Sequence, residues 1–153
     1  MKAALEEVVQ LLAFTVARRF FALELLGIVE IIEYKKPTRT PKPPPFVEGV
    51  IEHRGQMMPL VSLRKRLGAQ EVTRGGSTVL LFQPSPSGQV VGLLVDAASQ
   101  VITFEKKALL EPPPRVFGIR AEFIKGIATL EGRPVIWLDV PRLLSSPEEI
   151  ALV

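Results

Sequence analysis

Residues 46–67, FVEGVIEHRGQMMPLVSLRKRL, are written again at 123–144 as FIKGIATLEGRPVIWLDVPRLL. Phe46, Gly49, Gly55 and Leu67 return as Phe123, Gly126, Gly132 and Leu144, and Val47 and Val50 return as Ile124 and Ile127. Upstream the correspondence continues at a shorter offset. FALELLGIVEII at 21–32 matches VGLLVDAASQVI at 91–102, LLAF at 11–14 matches VLLF at 79–82, and KPPPF at 42–46 answers to EPPP at 111–114. A fold for this chain must accommodate one residue pattern twice. Two copies are too few for a solenoid, which needs at least three to bury its stacked faces. The expectation is a pseudo-symmetric pair within a single domain spanning 1–153, with repeat 1 at approximately 11–68 and repeat 2 at approximately 79–144. The second copy carries an insertion, because its connector is 103–122 where the first is 33–45.

Each copy reads as a string of short strands. FFALEL alternates its side chains, and TVLLFQ and VVGLLV do so less strictly, as suits half-buried or fully buried strands. ARR at 17–19 and PSPSG at 84–88 are turns, and RGQMMP and EGRPV set a glycine at a tight bend between two apolar runs. The prolines at 41, 43–45 and 112–114 exclude helix and central strand there. Helix is minor: one or two turns over SLRKRLG at 62–68, an amphipathic turn or two within 3–12, and a C-terminal helix over 146–153 capped by Ser146 with Pro147 at its first position. Five-stranded antiparallel units of this size hide their edges best by curling. The expected fold is all-β, two five-stranded β-barrel subdomains side by side, with a groove between them.

Composition narrows what such a pair can do. The chain has no cysteine, which removes disulfides, thiolate metal sites and a cysteine nucleophile. Its longest apolar runs are too short to span a bilayer, and Glu6 and Glu7 interrupt what would be the apolar stretch of an export signal, so direct membrane insertion is not expected. The net charge of +3 is concentrated in the first half, at Lys35, Lys36, Arg39, Lys42 and Arg64-Lys65-Arg66. Read as a nucleic-acid footprint, these cations would have to form one patch interleaved with exposed aromatics; the plainer reading is solvated loop and helix charge.

No catalytic, cofactor-binding or metal-ligating motif is present. The single histidine, His53, has no nucleophile or acid at useful spacing, and no phosphate-cradling or zinc-binding pattern occurs. Asp96 and Asp139 sit at strand ends, but Leu26 and Ser62 occupy their places in the first copy, so neither acid belongs to a duplicated site; turn or cap formation is the expected role. Met58 answers to Val135 and is expected in the core, with Met57 exposed.

Three ordered blocks, FVEGVIEHRGQMMPLVSLR, VVGLLVDAASQVITF…LLEPPP and FIKGIATLEGRPVIWLDVPRLL, resemble the CheW-type coupling (adaptor) proteins of bacterial chemosensory arrays, from about Leu11 to Leu144. The resemblance implies two SH3-like five-stranded barrels. It also implies a cytoplasmic adaptor, not an enzyme and without a cofactor, that links the cytoplasmic tips of chemoreceptors to the regulatory domain of a histidine autokinase. Carried over by position, the receptor-binding groove falls on Leu12, Leu25, Ile28, Ile31 and Ala98, an apolar trough suited to a helical hairpin tip. Arg54 matches the family's arginine before the glycine bend and Glu30 an acidic position after the second strand. These two, with Gly49, either organise loops or face the partner. Kinase contact in the family points to the Lys35–Pro45 connector.

Three positions depart from the family pattern: His53 in place of a neutral residue, Ser62 where Asp is common, and ARRFF in place of an acidic-glycine turn. They imply an unusual receptor or kinase partner. The competing reading is a nucleic-acid-binding or other interaction module on the same double barrel, using Arg18, Arg19, Lys35, Lys36 and Arg64 to Arg66.

Overall fold

The computed structural model describes residues 7–69 and 78–152. Among these lie twelve strands: β1 (Val8–Val16), β2 (Arg19–Glu24), β3 (Ile28–Glu33), β4 (Val47–His53), β5 (Gln56–Ser62), β6 (Thr78–Phe82), β7 (Val91–Val95), β8 (Ala97–Glu105), β9 (Arg115–Val116), β10 (Ile119–Arg120), β11 (Ile124–Leu130) and β12 (Arg133–Leu138). Two short helices follow β5 and β12, α1 (Leu63–Arg66) and α2 (Val140–Ser145). The strands form two five-stranded sheets, ordered β11-β12-β2-β1-β8 and β3-β6-β7-β5-β4, and β9 and β10 pair as a small hairpin.

The duplication is written into this order. Under the sequence correspondence β1, β2, β3, β4 and β5 become β6, β7, β8, β11 and β12, and the first sheet then maps strand for strand onto the second. Each sheet has one parallel contact at equivalent places, β12 on β2 and β5 on β7. Yet neither sheet is one copy of the repeat. Each takes the first two strands of one copy and the last three of the other. The sequence boundaries at 11–68 and 79–144 therefore mark repeats and not sheets.

The connector that leaves one edge of each sheet crosses the opposite edge. Thr38, beyond β3, exchanges two main-chain hydrogen bonds with Val50 of β4 (2.9 and 2.8 Å), and Leu110, beyond β8, does the same with Ile127 of β11 (2.8 and 2.9 Å). Paired backbone groups at the edges are what the SH3-like reading anticipates, here as a single bridge per sheet. Gly49 makes the first bridge possible. Its φ is +144°, and a Cβ there would overlap the Thr38 carbonyl. Gly126, its counterpart, has room for a side chain at ordinary contact distance.

Strands buried on both faces explain the near-continuous apolar runs. In β6, Leu80 and Phe82 point into a core shared by the two sheets, while Val79 and Leu81 face a separate cluster with Ile51, Met58, Leu60 and Leu94. In β1, Leu12, Phe14 and Val16 join the shared core, and Leu11 packs the other way with Ala22, Ala128 and Val135. Met57 is exposed and Met58 buried. The insertion of the second copy finds a use here: Ile119 of β10 is fully buried in the shared core, and Phe117 in the β9–β10 turn packs against it. The Arg19 guanidinium stacks 3.6 Å from the Phe117 ring centre, so part of the unusual ARRFF turn is structural. Ala17 and Arg18 both adopt positive φ in that turn, and Asp96 accepts a hydrogen bond from the Ala17 amide at 2.8 Å.

The helices correct two expectations. Ser62 and Asp139, at equivalent positions, are matched N-caps, accepting from the Lys65 and Arg142 amides. Ser146, expected to open a C-terminal helix over 146–153, instead terminates α2, and residues 147–152 are irregular. The cause is Arg66. Only 4 % exposed, it donates to the main-chain carbonyls of Leu143 (2.6 Å), Glu148 (2.9 Å) and Ser146 (3.0 Å), and a helix over 146–153 would need the Ser146 and Glu148 carbonyls for itself. The Leu152 amide then bonds to the Leu67 carbonyl, Ile150 enters the shared core, and Arg120 pairs with Glu148. At the other terminus, the turn expected within 3–12 gives way to β1 from Val8 onward, because Val8 to Leu12 pair with β8; residues 3–6 lie outside the described residues.

Arg66→Met should leave three carbonyls without donors and destabilise the protein by on the order of 3 kcal/mol, read from urea midpoints. Arg66→Lys should recover only part of this, because an ammonium cannot reproduce the three-way fork.

Candidate partner-binding site

The apolar residues assigned to a groove separate on inspection. Leu12 does not belong to it. Strand alternation turns its side chain into the shared core, where it is 4 % exposed and offers no contact area. Leu25, Ile28 and Ala98 are half-buried and all three rest on that core. Ile28 stands opposite Phe82 in one sheet and Ala98 opposite Phe14 in the other, and both phenylalanines belong to the core between the sheets. The seam between the sheets is thus lined from both sides. Ile31, 46 % exposed, continues the surface along the β3 edge.

Three further aliphatic residues lie exposed on the same elements. Leu26, at the tip of the single 3-10 turn Leu25–Gly27, is fully exposed, Val29 is 55 % exposed, and Val101 on β8 is 48 % exposed. Val101 is the second-copy counterpart of Ile31, seventy positions on, and that offset was the signal for it. Leu26 and Val29 break strand alternation at the 3-10 turn and at the bulge between Ile28 and Glu30, so no period could mark them. Large aliphatics are thus exposed along the edge strands of both sheets.

Beside this surface, Glu30 clamps the two edges of its sheet together. Its carboxylate accepts from His53 Nε2 (2.9 Å), Arg54 Nε (3.1 Å) and Arg54 Nη2 (3.4 Å). Arg54 heads the β4–β5 turn at φ +52°, followed by Gly55 at +76°, a two-residue reversal whose twist suits the hairpin. The hydrogen bonds from Arg54 and then His53 hold the Glu30 carboxyl at about 2, and Glu30 in turn raises the Arg54 pKa. Glu30 and Arg54 therefore organise the loop, and the outward side of the Arg54 side chain is open to solvent.

The basic run is spent internally. Arg64 pairs with Asp96 at 2.8 Å, Lys65 with Glu48 at 2.8 Å, and Arg66 is the buried fork described above. Asp96, expected to form a turn or cap at its own strand end, is instead a long-range cross-link between the β1–β2 turn and α1. Among the described residues, no group of three or more His, Cys, Asp or Glu side chains could hold a metal ion, and no helix is long and apolar enough to cross a membrane.

A carboxyl whose pKa is lowered by folding stabilises the native state above its unfolded pKa and loses that contribution as pH falls toward the folded value. Glu30→Gln should therefore lower the melting temperature at pH 7 and pH 5 alike. The gap to the parent should close between about pH 4.5 and 2, which thermal scans across that range will read.

The family model of the CheW-like domain matches residues 10–148. "Chemotaxis protein CheW" of Klebsiella aerogenes is 33% identical over 144 residues, covering 94% of this chain and 86% of that protein. The protein of the same description from Thermotoga maritima is 31% identical over 144 residues, covering 94% and 90%. Among solved structures, the scaffolding protein TtCheW from Thermoanaerobacter tengcongensis matches with a TM-score of 0.80 at 28% identity, over 95% of this chain and 94% of that one. With both repeats inside the matched span and relatives aligned along most of their length, the chain belongs to the CheW-like domain family.

Proposed function

We propose that this protein is a cytoplasmic, non-enzymatic adaptor that couples the cytoplasmic tips of chemoreceptors to a histidine autokinase by binding each on its own surface. The observation that carries the reading is the seam: Leu25, Ile28 and Ala98 resting on the shared core, with Ile31 exposed beside them. A shallow apolar trough of aliphatic side chains accepts the apolar face of a helical hairpin without demanding directional bonds. The descriptions of relatives as chemotaxis proteins, and of one as a scaffolding protein, support the same reading. The second surface is the Lys35–Pro45 connector, offered to the kinase regulatory domain. Its proline content and the Thr38–Val50 bridge hold it in one place against β4.

The nucleic-acid alternative loses its main support from the pairing of Arg64 and Lys65 and the burial of Arg66. Arg19 is likewise engaged with Phe117.

Ile28→Glu tests the receptor assignment. Placing a carboxylate against the receptor hairpin leaves it desolvated and unpaired, so affinity for a receptor cytoplasmic fragment should fall about tenfold or more. Binding to the kinase regulatory domain and the circular dichroism spectrum should stay as in the parent. Undiminished receptor binding would contradict the assignment, and an unfolded variant would make Ile28 a core residue.

A further inference from the structure

His53 closes β4 with both ring nitrogens engaged. Nε2 lies 2.9 Å from Glu30 Oε1 on β3, and Nδ1 lies 3.5 Å from the Lys35 ammonium at the start of the connector. The side chain is 16 % exposed; its Glu30 contact is partly buried and its Lys35 contact faces solvent. A carboxylate only accepts, hence Nε2 carries the hydrogen; an ammonium only donates, hence Nδ1 presents its lone pair. In the neutral ring, the two neighbours together favour the Nε2–H tautomer. Lys35 also donates to the Glu52 main-chain carbonyl at 2.9 Å, which fastens the connector to β4 beside the ring. The other charges here are placed differently: Arg54 bonds Glu30, and the Glu52 side chain is exposed.

Adding a proton changes the two contacts in opposite senses. Nδ1 becomes a donor facing an ammonium, so the Lys35 contact turns repulsive. The bond to Glu30 becomes charge-assisted and tightens. We propose that His53 is a proton-operated latch: neutral, it adds to the Glu52 carbonyl's hold on Lys35 and the connector; protonated, it grips Glu30 and repels Lys35, loosening that hold. Histidine is the side chain that changes charge over roughly pH 5 to 8. The segment that responds runs from Lys35 through the Thr38–Val50 bridge, whose two amides report its attachment.

The test uses the intact protein between pH 8 and pH 5. Ring nitrogen shifts should identify the Nε2–H tautomer at high pH. As the ring gains its proton, exchange of the Thr38 and Val50 amides, corrected for its intrinsic pH dependence, should rise roughly two- to fivefold, the scale of one exposed charge contact. In Lys35→Met, which keeps the ring and Glu30, exchange should be raised already at pH 8 and flat across the range. His53→Leu should likewise abolish the response; should that variant not fold, Lys35→Met decides. An Nδ1–H tautomer at high pH, a flat profile in the parent, or the parent's profile persisting in Lys35→Met would overturn the proposal.

Discussion

Everything in this molecule rests on the exchange of strands between the two copies of the repeat. Because β1 and β2 complete a sheet made from β8, β11 and β12, and β6 and β7 complete one made from β3, β4 and β5, neither copy can bury both of its faces alone. The shared core follows directly. Phe14 and Phe21 from one sheet and Leu80, Phe82 and Leu93 from the other fill the space that the exchange encloses. The seam where that core reaches the surface is flanked by the repeat-related edge strands β3 and β8.

Arg66 plays the corresponding part where the shared core meets the C-terminal segment. Its guanidinium lies 5.2 Å from the Phe46 ring centre and 5.9 Å from that of Phe123, the two aromatic residues that open the repeated sentences. It collects three carbonyls of the second copy's terminal segment. A cation in the first copy thus binds the backbone of the second, and its own counterpart by repeat is Leu143, whose carbonyl it takes. Gly68, at φ +66°, lets Ile150 cross close over the end of α1. The most basic tripeptide in the sequence is therefore structural, and net charge alone misrepresents what the surface offers.

The repeat itself, the strand content and the hairpin glycines were legible in the sequence, because each rests on local chemistry written twice; Ser62, read there as breaking the correspondence with Asp139, caps its helix in the same way, since either side chain offers an oxygen to a helix N-terminus. The strand exchange was not, because periodicity specifies which face of a strand is buried and is silent on which strand lies beside it. The C-terminal segment misled for a related reason. Ser146, Pro147 and Glu149 satisfy every local rule for a helix start, and a long-range donor eighty positions away overrides them. In the candidate site, Ile31 is exposed, and Leu25, Ile28 and Ala98 are half-buried against the core. Leu12, equally aliphatic and equally placed on a strand, belongs to the core, and only the direction of its side chain distinguishes it.

The most direct measurement is an amide chemical-shift map of the intact protein titrated with the cytoplasmic tip of a chemoreceptor. The account predicts that the perturbed residues cluster at Leu25, Ile28, Ile31, Ala98 and Val101, with the exposed Leu26 and Val29 beside them, while Arg66 and the residues it holds stay unmoved. Perturbations centred on Lys36, Arg39 and Lys42, or on the segment around Ser146 to Ile150, would place the receptor elsewhere and contradict it.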